Sequence, residues 1–366
     1  TSLTNLRVDD NELTGSLPST LTEMTGLLTF NASANLFSST FPSLLGDMVG
    51  LTALYFESNS ITGSLPDVFG SMTELMGLSL EANGITGAFP SSLYSLSKLS
   101  FLAMGSNKLH GTIETVLGEL TQLEVLGLEA NDLSGRIPTE ICNCMFLSQF
   151  TIQNNHLTSS IPDCFGNITT LQHFYVDSNQ LTGEIPPNFD NFANLVSLNL
   201  NNNNFDGSLP SQLGLLTNLQ GLYTSYNRLS GTISDGIGSA KNLTAFVVNN
   251  NFMSGSIPTS LVELTKLSLV ELNQNSFKGA LPVLNTLLML QTLLLFNNEF
   301  SGGLEDAFSE NQTALSTIDV SSNNFNGPIP SALFSLPNLN TLSAVSNCFT
   351  GSLPEEMCKA VRHSRQ

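Results

Sequence analysis

His173, Tyr175 and Asp177 are the residues in this sequence whose types and spacing come nearest to a base, a nucleophile and an orienting group. A catalytic site needs such groups to converge in a pocket. Alternate positions on an extended segment instead set them in a row along one exposed face. A histidine and an aspartate four residues apart on a strand are too far separated for a direct hydrogen bond. The chain has four histidines in all, and it shows no phosphate-binding loop. The expectation is a protein that is not an enzyme and uses no cofactor. Glu57, Glu81 and Glu129 offer a second chemistry, because they recur at one position of a repeating frame. Like charges one strand spacing apart repel and raise a pKa unless a cation or a basic ligand group relieves them. Such a strip suits a partner bearing Lys or Arg, with bound calcium as the lesser alternative and simple splaying into water as the plain one. No resident metal site is expected.

These residues are positioned by a repeat. From Asn11, asparagine recurs every 24 residues at Asn35, Asn59, Asn83, Asn107, Asn131, Asn155, Asn179, Asn203, Asn227, Asn251 and Asn275. Steps of 23, 25 and 24 then reach Asn298, Asn323 and Asn347. Around each marker runs Leu-x-x-Leu-x-Leu-x-x-Asn-x-Leu-x-Gly-x-Ile-Pro, as in Leu75, Leu78, Leu80, Asn83, Ile85, Gly87, Phe89 and Pro90. The Gly column fails only at Ser39 and Ser159, and the Pro column at Glu114, Ser234 and Glu305. The central alternation reads as a short strand with one buried face. Stacked units place these strands in parallel. The marker asparagine sits where the chain leaves the strand, so its amide can bond backbone groups that the turn leaves unpaired. Glycine permits the next turn, and proline suits a sheet edge.

The array resembles the 24-residue plant-type leucine-rich repeat, from Leu3 to about Cys358. The resemblance implies an α/β repeat solenoid: a right-handed superhelix of about 15 repeats, with a concave parallel sheet, a second short strand along the Gly-x-Ile-Pro half and short helical turns outside. Residues 1–358 are expected to form this solenoid and 359–366, with Lys359, Arg362 and Arg365, a C-terminal tail, merely solvated or else a short juxtamembrane remnant. Arrays of this type form the ectodomains of receptor-like kinases and receptor-like proteins, and also occur as secreted inhibitors of wall-degrading enzymes. Receptor ectodomains usually open with a paired-cysteine cap, which is missing here. The first residues, TSLTNLRV, already fit the repeat, so a processed or trimmed piece of a longer chain is expected.

In a solenoid the repeat-defining residues account for the fold, and only the variable positions can carry function. On the concave face these include Tyr55, Glu57, Glu81, Phe101, Glu129, His173, Tyr175, Asp177, Tyr223 and Tyr226, the candidate ligand-binding residues. Four of the five tyrosines fall there, with Tyr94 elsewhere. Tyrosine is a frequent binding anchor, although strand preference and exclusion from the buried face also favour that placement. Arg7 is the only basic residue on the face. Further along come Asn199, Asn201, Asn249, Asn273 and Gln274, which suit a sugar or a peptide backbone, and then apolar Leu294 and Phe296.

Cys348 and Cys358 bracket the last repeat, and a disulfide there would resemble the family's C-terminal cap and staple an end prone to fraying. The alternative is two buried thiols. Cys142 aligns with position 166, two residues from Cys164, so a bridge between neighbouring repeats is feasible and would leave Cys144 over. The Cys-x-Cys spacing is a weak zinc signal. Sequons at Asn31, Asn167, Asn242 and Asn311 favour the secretory pathway and a glycoprotein.

With 30 acidic and 11 basic side chains the formal charge is −19, which argues against nucleic acid. The acidity either keeps a long array in solution or steers basic partners. No apolar run is long enough to span a bilayer, so any membrane link would lie outside this chain. The leading expectation is an extracellular or cell-surface recognition module, as in receptor ectodomains. It would bind a peptide or protein ligand on the concave face, a basic one suiting the acidic strip, and could engage a co-receptor. The alternative is a secreted or wall-associated protein with an inhibitory, adhesive or structural role and no signalling domain.

Overall fold

The computed structural model describes residues 2–357. The chain forms two compact units, divided between Leu181 and Thr182. Each coil takes its number from its marker asparagine, with Asn11 in coil 1.

In the first unit, eight three-residue strands from Asn5–Arg7 to His173–Tyr175 pair in parallel, each with the next in chain order. Leu54 stands opposite Leu78, and Leu78 opposite Leu102. All three leucines are fully buried; beside them Ala53, Tyr55 and Phe101 are half-buried, whereas Gly77, Ser79 and Ala103 are buried under their neighbours. A second parallel row follows each marker, from Thr14–Gly15 through Leu36–Thr40 and Ser60–Ser64 to His156–Ser159. The second unit repeats the plan with seven inner strands, Ser197–Asn199 to Thr341–Ser343. Its outer row runs from Asn204–Asp206 to a single bridge between Ser208 and Ser230, then resumes as a five-stranded sheet from Ser254–Gly255 to Cys348–Phe349. Coil 10 forms no strand in this row, although Arg228 N–H still donates to Phe205 O (2.8 Å) and Ser230 N–H to Gly207 O (2.7 Å). The architecture is a repeat solenoid of parallel strands, with about fifteen repeats.

The return segments wind as 3-10 turns such as Ser19–Glu23 and Ser91–Ser95. Pro18 and Pro90 stand in extended conformation just before them, and their carbonyls accept from Leu21 N–H (3.0 Å) and Leu93 N–H (3.1 Å). The buried leucine three residues after proline therefore anchors each turn to the core. Where Ser234 replaces proline, its carbonyl still accepts from Ile237 N–H (3.1 Å), and its hydroxyl adds a cap that proline cannot make, accepting from Gly236 N–H at 3.2 Å. Among the described residues, no helix is long and apolar enough to cross a membrane.

The marker asparagine binds backbone within and between coils. Asn83 Nδ2 donates to Phe56 O (2.9 Å), Leu80 O (3.1 Å) and Glu81 O (3.1 Å), while its Oδ1 accepts from Ile61 N–H (2.9 Å). The bond from Ile61 N–H satisfies a donor that the turn leaves open, whereas Glu81 O also accepts from Ser58 N–H (2.9 Å) and Leu80 O from Asn107 Nδ2 (3.0 Å), so the ladder shares its acceptors between coils. Two backbone features go beyond the sequence expectation. The residue before every marker adopts positive φ, from Asp10 (57°) to Ser346 (55°). Ser39 (116°) and Ser159 (69°), the exceptions in the Gly column, take positive φ as well, so the turn geometry holds without glycine. Phenylalanine fills the interior. In the second unit Phe277, Phe300, Phe325 and Phe349 stack in succession at centroid distances of 6.0–6.3 Å. In the first, Phe150, Phe165 and Phe174 form a cluster at 5.0–5.5 Å.

Candidate ligand-binding surface

On the uncovered side of the inner strands, three columns of side chains stand side by side, represented in coil 3 by Ala53, Tyr55 and Glu57. In the first unit the carboxylate column runs Glu57, Glu81, Gly105, Glu129, and the glycine is what joins its members. A Cβ on Gly105 would lie 2.2 Å from Glu129 Oε1. The Glu129 carboxylate therefore lies across the vacant position, on the side toward Glu81, and accepts from Thr151 Oγ1 at 3.0 Å. Burial, then the Glu129 charge, then that of Glu57 raise the pKa of Glu81. Glu57 Oε2 is buried without a hydrogen-bond partner. Arg7 does not relieve this strip, because its guanidinium pairs with Asp9 through Nη2–Oδ2 (2.9 Å) and Nε–Oδ1 (3.1 Å). Among the described residues, no group of three or more His, Cys, Asp or Glu is arranged to hold a metal ion.

A pH effect follows from Glu81. A carboxyl whose pKa is higher in the folded chain than in the unfolded one favours folding in its protonated form, and that contribution fades as pH rises through the folded pKa. Glu81→Gln is therefore expected to raise the urea midpoint at pH 7 and to leave it unchanged at pH 3. Equal shifts at both pH values would contradict the electrostatic origin.

The aromatic residues also lie over glycines. A Cβ on Gly77 would sit 3.0 Å from Tyr55 Oη, so the phenol of coil 3 rests over coil 4. In the second unit, a Cβ on Gly221 would sit 2.6 Å from Tyr223 Cε2. Gly77, Gly105, Gly127 and Gly221 are absent from the sequence-based candidates; of these, Gly105, between Glu81 and Glu129, is visible in sequence as a gap in a bulky column. Phe101 is half-buried in the first unit, opposite Val125. Tyr226 stands apart from the strand face on which the sequence placed it: it occupies the left-handed turn before its marker (φ 56°) and is 55% exposed.

His173 and Tyr175 come together, with Nδ1 3.2 Å from Oη and ring centroids 5.8 Å apart. Asp177 accepts instead from Ser178 Oγ (3.3 Å), and burial raises its pKa. The trio is a half-buried polar row on an open sheet face, as the strand spacing predicts. The amide zone of the second unit is more internal than the sequence suggests. Asn201 Oδ1 accepts from Ser225 N–H (2.6 Å), Ser225 Oγ donates to Asn249 Oδ1, and Asn249 and Asn273 are buried.

Cys142 and Cys164 form a disulfide between coils 6 and 7, with Cα atoms 5.9 Å apart. Cys144 is buried, its Sγ donates to Leu120 O (3.3 Å), and burial pushes its pKa up to about 11. Cys348 is exposed, and its expected partner Cys358 lies outside the described residues, as does the 359–366 tail. Of the sequon asparagines, Asn167 and Asn311 are exposed. Asn31 is half-buried on its strand and accepts from Ser33 N–H (3.0 Å). Asn242 donates to Thr217 O (2.7 Å) and accepts from Lys266 Nζ (2.6 Å).

Parallel three-residue strands, an asparagine ladder and 3-10 return turns define the class: a leucine-rich-repeat solenoid with an open sheet face. Family profiles described as leucine rich repeat match residues 73–133, and others match 50–72, 170–192, 194–216 and 314–336. No curated protein matches the chain. Among solved structures, the chain is similar to the plant peptide hormone receptor RGFR1 in complex with RGF2, at 32% identity and a TM-score of 0.94, over 98% of this chain and 58% of that one. The Arabidopsis receptor kinase HAESA, in complex with the peptide hormone IDA and the co-receptor SERK1, matches at 33% identity and 0.91, over 97% and 59%. The HAESA ectodomain with an N-terminally extended IDA peptide matches at 30% and 0.75, over 97% and 68%. The chain thus spans 58% and 59% of the first two proteins. It belongs to the leucine-rich-repeat family and is similar to the ectodomains of plant receptor kinases.

Proposed function

We propose that this chain is a non-catalytic, extracellular recognition module that binds a peptide or protein segment carrying basic side chains on the open face of its inner sheet. The observation that carries this reading is the row Glu57, Glu81 and Glu129, which shares one face with Tyr55 while Arg7, the only arginine of that face among the described residues, is bound to Asp9. Carboxylates held close without an internal counter-charge favour a cationic guest, since its arrival removes their repulsion. Tyr55, Phe101, His173, Tyr175 and Asp177 extend the surface in the first unit, and Tyr223 and Tyr226 offer aromatic contacts in the second. Similarity to receptors crystallised with peptide hormones, one of them with a co-receptor, supports this assignment and a cell-surface setting.

Selection from a library of random linear peptides tests the proposal. The wild-type chain is expected to enrich Lys and Arg, and the triple variant Glu57→Gln, Glu81→Gln, Glu129→Gln to lose much of that enrichment. A wild-type selection without residue preference would sink the reading.

A further inference from the structure

On the inner-strand face of the second unit, a carboxylate and an amide carbonyl stand without hydrogen-bond partners among mostly apolar side chains, with the amide of Asn249 one coil back. Glu271 ends the strand Leu269–Glu271, with Val247 opposite it on one neighbouring strand and Leu294 on the other. Val247 is buried, and Leu269, Leu294 and Phe296 are half-buried. Two residues beyond Glu271, on the same side of the chain, Asn273 is only 4% exposed and its Oδ1 has no hydrogen-bond partner. Among the described residues no cation pairs with Glu271, and the three face columns of this unit contain no Lys, Arg or His. Burial also raises the pKa of Glu271. Asp319, in the same column two coils on, differs: its Oδ1 accepts from both Ser321 N–H (2.9 Å) and Ser321 Oγ (2.5 Å).

A buried acceptor without a donor is costly, and a charged donor that reaches it forms a strong bond. The complementary group has several donors, a positive charge, weak hydration and an apolar stem able to lie along aliphatic side chains. Arginine has all four properties. A sugar hydroxyl supplies donors without charge or stem. We propose that Glu271 and Asn273 form a subsite for an arginine side chain of a bound peptide, its stem lying against Val247, Leu269 and Leu294. This inference rests on the strand face being peptide-binding and adds a second cation-accepting position, in the second unit.

The chain contains no tryptophan, so a tryptophan-bearing probe reports binding without background. The probes are acetyl-Trp-Gly-Gly-Arg-Gly-Gly-amide and its norleucine counterpart, titrated against the intact chain by fluorescence anisotropy. The arginine peptide is expected to bind about tenfold more tightly than the norleucine peptide, in line with a charge-assisted hydrogen bond. Glu271→Gln and Asn273→Leu are each expected to reduce that preference to about threefold or less, whereas Asp319→Asn preserves it. Urea midpoints show that the variants remain folded. An undiminished preference in Glu271→Gln, or an equal loss in Asp319→Asn, overturns the subsite. If the preference instead disappears only in the triple Glu57, Glu81, Glu129 variant, the subsite fails while peptide binding by the first unit stands. Binding of neither probe by the wild-type chain overturns both.

Discussion

Asn251→Ala is expected to destabilise the second unit by about 2–3 kcal/mol, because it leaves the buried Leu229 N–H unsatisfied, at about 1–3 kcal/mol, and weakens three carbonyl contacts. Asn251 is 7% exposed. Its Nδ2 donates to Thr224 O (2.9 Å), Val248 O (3.1 Å) and Asn249 O (3.3 Å), and its Oδ1 accepts from Leu229 N–H (2.9 Å). Alanine fills none of these roles, but the three carbonyls keep other donors: Thr224 O accepts from Asn227 Nδ2 (3.1 Å), Val248 O from Asn275 Nδ2 (3.0 Å) and Asn249 O from Tyr226 N–H (3.1 Å), so the cost falls mainly on the buried Leu229 N–H. In a repeat array such damage acts first on the nearest coils. Urea unfolding gives the total, and faster hydrogen exchange at Leu229 and Phe252 locates it. Asn251→Asp keeps an acceptor but turns a carboxylate toward carbonyl oxygens, so its defect should be larger at pH 7 than at pH 4. A loss below about 1 kcal/mol for the alanine variant would mean that the amide is replaceable, by a bridging water for instance.

The second large effect is expected from Gly214→Ala in the outer turn Ser211–Leu215. An added Cβ would meet Gly236 O at 2.0 Å and Ile237 N at 3.1 Å. Both are backbone atoms of the next turn, so the conflict cannot be relieved by rotating a side chain. Overpacking of this kind costs about 1–3 kcal/mol, and a backbone obstacle places this variant at the upper end. Gly70→Ala, in the first unit, is the contrasting case, because its Cβ would meet only Ser92 Cβ at 3.6 Å. There the loss of chain entropy in the unfolded state favours alanine by about 0.4–1 kcal/mol. Thermal unfolding of the two variants should move in opposite directions. If both were neutral, the close approach of outer turns would not be a structural requirement.

Most of the fold was legible because each column is written many times. Leu54, Leu78 and Leu102 declare a buried strand face jointly, and the asparagine markers set the register to the residue. What escaped the sequence depends on how neighbouring coils approach each other. Gly118 and Gly214 lie in outer turns where the next turn leaves no room for a Cβ, and a single repeat contains no sign of its neighbour's path. In the candidate surface, the residue types of the acidic column were plain, but the contact between Glu129 and the position of Gly105 was not. It depends on which way a long side chain folds once a neighbour is missing. Asn249 was legible as a surface amide, yet it is buried and accepts from Ser225, because polar side chains one strand apart can satisfy each other. Tyr226 was misplaced because its column looks like a strand until the left-handed turn is seen.

The bridge between Cys142 and Cys164 has a mechanical consequence. A stack held by nearest-neighbour contacts peels coil by coil under tension, each released segment lengthening the tether. The 22-residue separation across this disulfide forms a loop that tension cannot extend. Reduction should therefore add roughly 70 Å to the full extension of the chain, given about 3.3–3.6 Å per extended residue. With the bond closed, the first unit contains a covalent stop, and a pull on either end meets a segment that can lose its packing without giving up its length.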